Sequence, residues 1–196
     1  KVKDTKKDKD KEDNSTSNDN SLTLDPITGI NNNKGLLSSF EDKKDIKDSD
    51  CISITILEID KFSKLSNNYS KEVIQSMLKK ISSIISFHVE TTDIVARTDK
   101  NQFTIILSRQ SESQSIDDIK TIHQSISEMK ITNDELGDII LTISAGFMVK
   151  HKSISIDEIL EKTNQLMLHS RKKGGDMISY IKDLIKDDLY KLARVS

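Results

Sequence analysis

The stretch Thr92–Ser108, TDIVARTDKNQFTIILS, constrains the fold more than any other part of the chain. It holds two apolar runs separated by a short polar segment. Ile94, Val95 and Ala96 form the first run, and Phe103, Ile105, Ile106 and Leu107 the second. Between them lie Thr98, Asp99, Lys100 and Asn101, and Asp and Asn tolerate turn conformations. The pattern predicts a β-hairpin with a tight polar tip. The second run is apolar at consecutive positions, so it predicts a strand covered on both faces in the middle of a sheet.

The surrounding segments supply the layers such a sheet needs. Cys51–Ile59, CISITILEI, alternates Ile52, Ile54 and Ile56 against Ser53 and Thr55 and reads as a strand. Glu58 and Asp60 put two carboxylates at its C-terminal end. Ser70–Val89 is the clearest helix, with Val73, Ile74, Met77, Leu78, Ile81, Ile84 and Ile85 on the 3.6-residue repeat. Ser115–Lys130 and Ser155–Lys173 follow the same rule. Asp138–Val149 reads as a long strand, and Met177–Tyr180 as a short one after the helix stop Gly174-Gly175. Ahead of these, Pro26 and Gly29 fix a turn, and Asn31 or Asn32 caps a helix running to about Glu41. Ile181–Leu192 reads as a terminal helix. The order strand, helix, hairpin, helix, strand, helix, strand predicts an α+β fold, a ferredoxin-like βαββαβ core with helices on the sheet faces. The domain spans residues 21–181, with a helical extension over 182–196. Lys1–Asn20 carries one apolar residue, Val2, and reads as a disordered charged tail or linker.

Composition removes several function classes. Lys and Arg number 30 against 32 Asp and Glu, so no strong field favours nucleic acid or an anionic membrane. One cysteine, Cys51, excludes an internal disulfide framework and suits a reducing, cytoplasmic setting. It opens an apolar strand and reads as a small buried hydrophobe before it reads as a nucleophile. No apolar run approaches the ~20 residues of a membrane span. The chain opens on Lys, which reads as a piece of a longer protein, with any membrane anchor outside this sequence. His88, His123, His151 and His169 show no paired metal-ligand spacing. Arg97, just before the hairpin tip, reads as a brace for the hairpin or for a neighbouring carboxylate. In this topology Glu58 and Asp60 face the turn Asp99–Gln102, where paired carboxylates can hold Mg²⁺ and receive a triphosphate.

At these residues the sequence resembles the GGDEF-domain family, the diguanylate cyclases, which condense two GTP molecules into cyclic di-GMP. The resemblance covers about Asp25–Tyr180. Asp25-Pro26-Ile27-Thr28-Gly29-Ile30 with Asn33 is similar to the family's D-x-L-T-G-L-x-N opening, and Glu58-Ile59-Asp60-Lys61-Phe62 to its D-x-D-x-F. Asp93-Ile94-Val95-Ala96-Arg97 precedes the tip, and Thr142-Ile143-Ser144-Ala145-Gly146 is similar to its T-x-S-x-G strand. The resemblance implies a five-stranded sheet flanked by helices.

The same resemblance implies that the chemistry has been lost. The namesake G-G-D/E-E-F falls on Asp99-Lys100-Asn101-Gln102-Phe103, of which Phe103 alone is kept. The family's glycines let the backbone close on phosphates, whereas Asp99 brings a negative charge. Two like unit charges ~4 Å apart repel by roughly 4 kcal/mol at an effective dielectric near 20. The family's metal-binding acid becomes Asn101 and the next acid Gln102. Glu58 replaces the other metal-binding Asp, and Asp60 remains a carboxylate. The base-reading Asn and Asp become Ser66 and Gln75. The closing K-x-x-x-R segment maps to Arg171 and Gly175, and the product-inhibition motif R-x-x-D to Glu90 and Asp93. The expectation is a pseudo-enzyme without metal or cofactor, acting as a regulatory or protein-interaction module through a protein partner or a homodimer. A non-catalytic receptor for GTP or cyclic di-GMP, contacted through Glu58, Lys100 and Arg171, stands second. An active cyclase with unusual ligands stands third.

Overall fold

The computed structural model describes residues 22–43, 46, 49–131 and 137–186. The expected tail Lys1–Asn20 and the part of the expected terminal helix beyond residue 186 lie outside them.

Strand β1 (Cys51–Ile59) forms the centre of a five-stranded sheet. It pairs antiparallel with β3 (Gln102–Arg109) on one side and with β4 (Ile143–Val149) on the other. β2 (Ile94–Asp99) closes the hairpin outside β3, and β5 (Met177–Ser179) runs parallel to β4 at the opposite edge. The order is β2-β3-β1-β4-β5. The first four strands are the expected ferredoxin-like core, and β5 extends it to five.

Helices cover both faces. One layer is α3 (Lys71–His88) and α4 (Glu112–Ser127), packed on Leu57, Ile59, Phe103, Ile105, Leu107 and Phe147. The other is α1 (Asn33–Asp42) and α5 (Ile156–Lys172), whose Leu36, Phe40 and Ile159 pack on Ile54, Ala96 and Ile106. Burying each such Leu, Ile or Phe side chain contributes about 1.5–3 kcal/mol. A short helix, α2 (Phe62–Asn68), links β1 to α3 and has no counterpart in the sequence reading. Asn32, Ser70, Ser111 and Ser155 cap α1, α3, α4 and α5 by accepting from a backbone N–H three residues on. Each cap contributes about 1 kcal/mol. With its cap at Ser111, α4 begins at Glu112, three residues before the expected Ser115.

One reading is corrected and one is filled in. The alternating Ser53 and Thr55 of β1 are fully buried. A strand paired on both edges between two helical layers buries even its small polar residues, and both hydroxyls lack a partner. The long strand expected over Asp138–Val149 is shorter, Ile143–Val149. The ladder with β1 ends at Ile59↔Ile143, so residues 138–142 have no strand to pair with. Ile139 instead bridges Ile131, and Ile139 and Leu141 still fill the core.

Candidate functional site

The register of β1 and β3 sets Glu58 directly opposite Gln102. Both side chains project to the face that carries α5, because even-numbered residues of the two strands share that face with Ile54 and Ile106. Glu58 is buried, and both its oxygens are engaged. Oε2 accepts from Gln102 Nε2 at 2.8 Å, and Oε1 pairs with Arg171 Nη1 at 2.8 Å from the last turn of α5. The Glu58 side chain is 7% exposed and that of Arg171 52%. The sequence grouped these three residues but not their mutual pairing.

Asp60 has a different task. It is buried, accepts from Ser144 Oγ at 2.7 Å and from the backbone N–H of Asp176 at 3.0 Å. It thereby ties the loop after α5 to β4. Gly175, at φ +83°, lies so close that a Cβ there would stand 2.6 Å from Asp60 Oδ2. The Gly174-Gly175-Asp176 run is a helix stop moulded around this carboxylate.

The hairpin tip closes without glycine. Asp99 pairs with Gln102 across Lys100-Asn101, and the register shifts between Arg97 and Asp99. Lys61 and Asp176 are the non-glycine residues with positive φ among the described residues, so Lys100 and Asn101 keep ordinary backbone angles. The type I′ turn that needs two positive φ values is thus replaced by a turn with an adjacent bulge. Asp99 Oδ1 accepts from Lys100 N at 2.7 Å. Asn101 turns back on β1, its Nδ2 donating to Ile59 O at 3.3 Å.

Arg97 braces the tip as expected. Nη2 donates to Lys100 O at 2.6 Å and Nη1 pairs with Asp25 Oδ1 at 2.8 Å. Asp25 also accepts from the Thr28 hydroxyl and N–H at 2.7 and 2.8 Å. Burial pushes the Asp25 carboxyl up, but the Thr28 hydrogen bonds and the Arg97 charge together outweigh it and hold it below the usual carboxylate range. A folded-state pKa below the unfolded one gives stability that is full above the unfolded value of about 3.9 and is lost as pH falls through the folded value. Denaturant melts of the protein and of Asp25→Asn should therefore differ by a constant margin above about pH 5. That margin should shrink below about pH 4; a margin that grows with acid contradicts the assignment.

At the position of the product-inhibition motif, Asp93 is fully buried and gripped by Arg109 in a two-pronged pair. Nη1–Oδ1 and Nη2–Oδ2 are both 2.9 Å. Ser108 N and Glu90 N also donate to it, and Arg109 Nε donates to Asp118 at 2.6 Å. Burial lowers the Arg109 pKa, but hydrogen bonds and charges of Asp93 and Asp118 outweigh it and raise it further above its ordinary value. Glu90 stands at 3.9 Å from the same guanidinium. The sequence reading missed Arg109, although the hairpin register alone brings residue 93 beside residue 108.

Ser66 and Gln75 come together. They line a largely apolar cleft of about 280 Å³ with Ile27, Phe62 and Ile74, and with Lys71, Arg97 and Lys100 at its polar side. A second cleft, of about 380 Å³, adjoins the tip and includes Glu58, Lys61, Lys64, Asp99 and Arg171. Among the described residues, no group of three or more His, Cys, Asp or Glu converges as a metal site. His88 contacts the Ser125 hydroxyl, His123 the Ile143 carbonyl and, at 4.0 Å, the Asp176 carboxylate, and His169 the Ser179 hydroxyl. Burial pushes the Cys51 thiol up, which suits the packing role expected of it. No helix among the described residues is long and apolar enough to cross a membrane.

The sequence model of the family described as "Diguanylate cyclase, GGDEF domain" matches residues 22–177. The chain belongs to the GGDEF domain family, whose setting is cyclic di-GMP signalling. Diguanylate cyclase DosC of Escherichia coli (strain K12) is 20% identical over 127 residues, 65% of this chain and 28% of DosC. An uncharacterized membrane protein of Staphylococcus aureus (strain USA300) is 19% identical over 166 residues, 83% of this chain and 47% of that protein. The chain thus spans between about a quarter and a half of these relatives. Among solved structures, the diguanylate cyclase SiaD of Pseudomonas aeruginosa, in complex with its activator SiaC, aligns with a TM-score of 0.74 at 14% identity. That alignment covers 84% of this chain and 64% of SiaD. The coiled coil and GGDEF domain of DgcB from Caulobacter crescentus, in complex with cyclic di-GMP, aligns at 0.72 and 17% identity, covering 83% and 87%. These likenesses establish the five-stranded fold.

Proposed function

We propose that this domain is a non-catalytic member of its family, a regulatory or protein-interaction module in cyclic di-GMP signalling. The observation that carries this reading is the state of Glu58. Its two oxygens are taken up by Gln102 and Arg171, each at 2.8 Å. Mg²⁺ requires several oxygen ligands in near-octahedral array and usually one or two carboxylates. Here one candidate carboxylate is neutralised by a guanidinium, Asp60 is committed to Ser144 and the Asp176 N–H, and Asn101 faces the Ile59 carbonyl. This donor set does not fit a magnesium–triphosphate group, and no catalytic step is assigned to it. The complex of SiaD with its activator supports a role through protein contact, since a relative of the same fold is itself regulated that way. The reading places the domain on the cytoplasmic side, alone or as part of a membrane-anchored protein. The test is cyclic di-GMP production from GTP with Mg²⁺ or Mn²⁺, expected to stay at the level of a no-protein control.

A second reading, a non-catalytic nucleotide receptor, draws support from the two clefts beside the hairpin tip. Both are open, and both include Phe62 and Lys100 in their walls.

A further inference from the structure

Helix α4 lies across the sheet, meeting β3, β1 and β4, and polar side chains tie down both of its halves. In the first half Asp118 accepts from Arg109 Nε at 2.6 Å, and the same guanidinium grips the buried Asp93. In the second half His123 Nε2 donates to Ile143 O at 3.0 Å, and Ser127 Oγ donates to Asp176 Oδ1 at 3.4 Å. The backbone N–H of Asp176 in turn donates to Asp60. One helix of 16 residues thus joins the Asp93 cluster to the Asp60 loop. The two stand at opposite ends of β1, since Arg109 pairs with Cys51 and Ile143 with Ile59.

Beneath the middle of α4 the seat is polar and unpaired. The face of β1 toward α3 and α4 carries its odd-numbered residues, Leu57 and Ile59 among them. Between Cys51 and Leu57 those positions are Ser53 and Thr55. Both are fully buried, and neither hydroxyl has a partner. Such a group has lost its water and gained nothing in exchange. The buried stripe of α4 is Ser115, Ile119, Ile122 and Ile126, three apolar side chains against the five that α3 buries. Segments open locally where few apolar contacts are lost, and the opening of α4 also returns two hydroxyls to water. Its two ends are fastened, while its centre gains hydration on leaving the sheet.

We propose that α4 is a movable strut. It leaves the sheet as a unit ahead of global unfolding, and its opening couples the Asp93–Arg109 cluster to the loop at Asp60. This is a regulatory link between the two ends of the domain, and it is independent of turnover. The test is native-state hydrogen exchange of the full chain, read amide by amide, in the wild type, Thr55→Val, Ser53→Ala and Asp118→Ala. In the wild type the amides of Ile119, Ile122 and Ile126 should exchange about tenfold or more faster than those of Leu78 and Ile81 in α3 and of Leu166 and Met167 in α5. Thr55→Val keeps the shape and removes the unpaired hydroxyl, so it should slow α4 exchange about fivefold or more. Ser53→Ala, a smaller change, gives the same reading where the valine variant does not fold. Asp118→Ala frees the first half of α4, and the Asp176 amide at the other end should then exchange about threefold or more faster. The Arg97 amide, bonded to Asn31 O at the outer edge of β2, should keep its rate. The proposal is overturned by α4 amides that exchange together with those of α3 and α5, or by faster α4 exchange in the hydroxyl variants. An Asp176 amide unchanged in Asp118→Ala, or speeded no more than that of Arg97, overturns the coupling.

Discussion

Arg109→Ala is expected to remove about 3–5 kcal/mol of stability, the usual result of breaking a buried ion pair from one side. Arg109 satisfies Asp93 in a two-pronged pair at 2.9 Å, and the Asp93 side chain is fully buried. Alanine would leave that carboxylate with the N–H groups of Ser108 and Glu90 as its remaining partners and no compensating charge. The aliphatic stem of Arg109 and its bond to Asp118 are lost as well. Because domains of this size are stable by about 5–15 kcal/mol, such a loss approaches the whole margin. Arg109→Lys keeps the charge but not the planar fork, so it should fall between the wild type and alanine. Urea melts of the three proteins give the answer. A loss under about 1 kcal/mol for alanine, the range of an exposed pair, would mean that Asp93 is not buried as described.

The second large effect is expected at Gly146. This residue sits in β4 opposite Ile56, where α5 crosses the sheet. A Cβ there would lie inside van der Waals contact with the Thr163 carbonyl oxygen and the Met167 amide nitrogen. Both are backbone atoms in the middle of α5, so no side-chain rotation relieves the clash. Gly146→Ala should cost about 2–3 kcal/mol, toward the upper end of overpacking penalties, even after the reduced freedom of the unfolded chain is credited. Gly146→Val should cost more, and the same melts measure it. A neutral alanine variant would show that α5 can move off the sheet freely, and the Glu58–Arg171 pair with it.

Much of the sheet was legible because its strands carry strong local patterns. The consecutive apolar residues of Thr92–Ser108 announced a central hairpin, and the Ile-rich run at Cys51–Ile59 announced its partner. Periodicity found α3, α4 and α5, since each buries an apolar stripe. What the sequence obscured depended on tertiary context. Phe62–Asn68 is too short and too polar to show a helical period, so α2 was missed. Asp138–Val149 is apolar throughout its middle, but strand length is set by the partner, and β1 stops at Ile59.

The candidate site was legible as a set of positions and not as a set of contacts. Glu58, Gln102 and Arg171 were each singled out, yet Arg171 is 113 residues from Glu58 along the chain, and no periodicity joins them. Asp60 carried a possible metal role by its neighbour's example. Its commitment to the glycine-rich stop after α5 depends on a loop closure that only coordinates reveal. The Gly174-Gly175-Asp176 run was read as a helix stop from its position, and its positive φ values follow from that role.

The measurement that bears most directly on the account is turnover itself. The folded chain, its integrity verified by a cooperative melt, is incubated with GTP and either Mg²⁺ or Mn²⁺, beside an active family cyclase and a no-protein blank, and cyclic di-GMP is quantified by chromatography. With Glu58 closed by Arg171 and Gln102, the product should match the blank. Product that rises with time and protein concentration, and disappears in Glu58→Gln, would contradict the account at its centre.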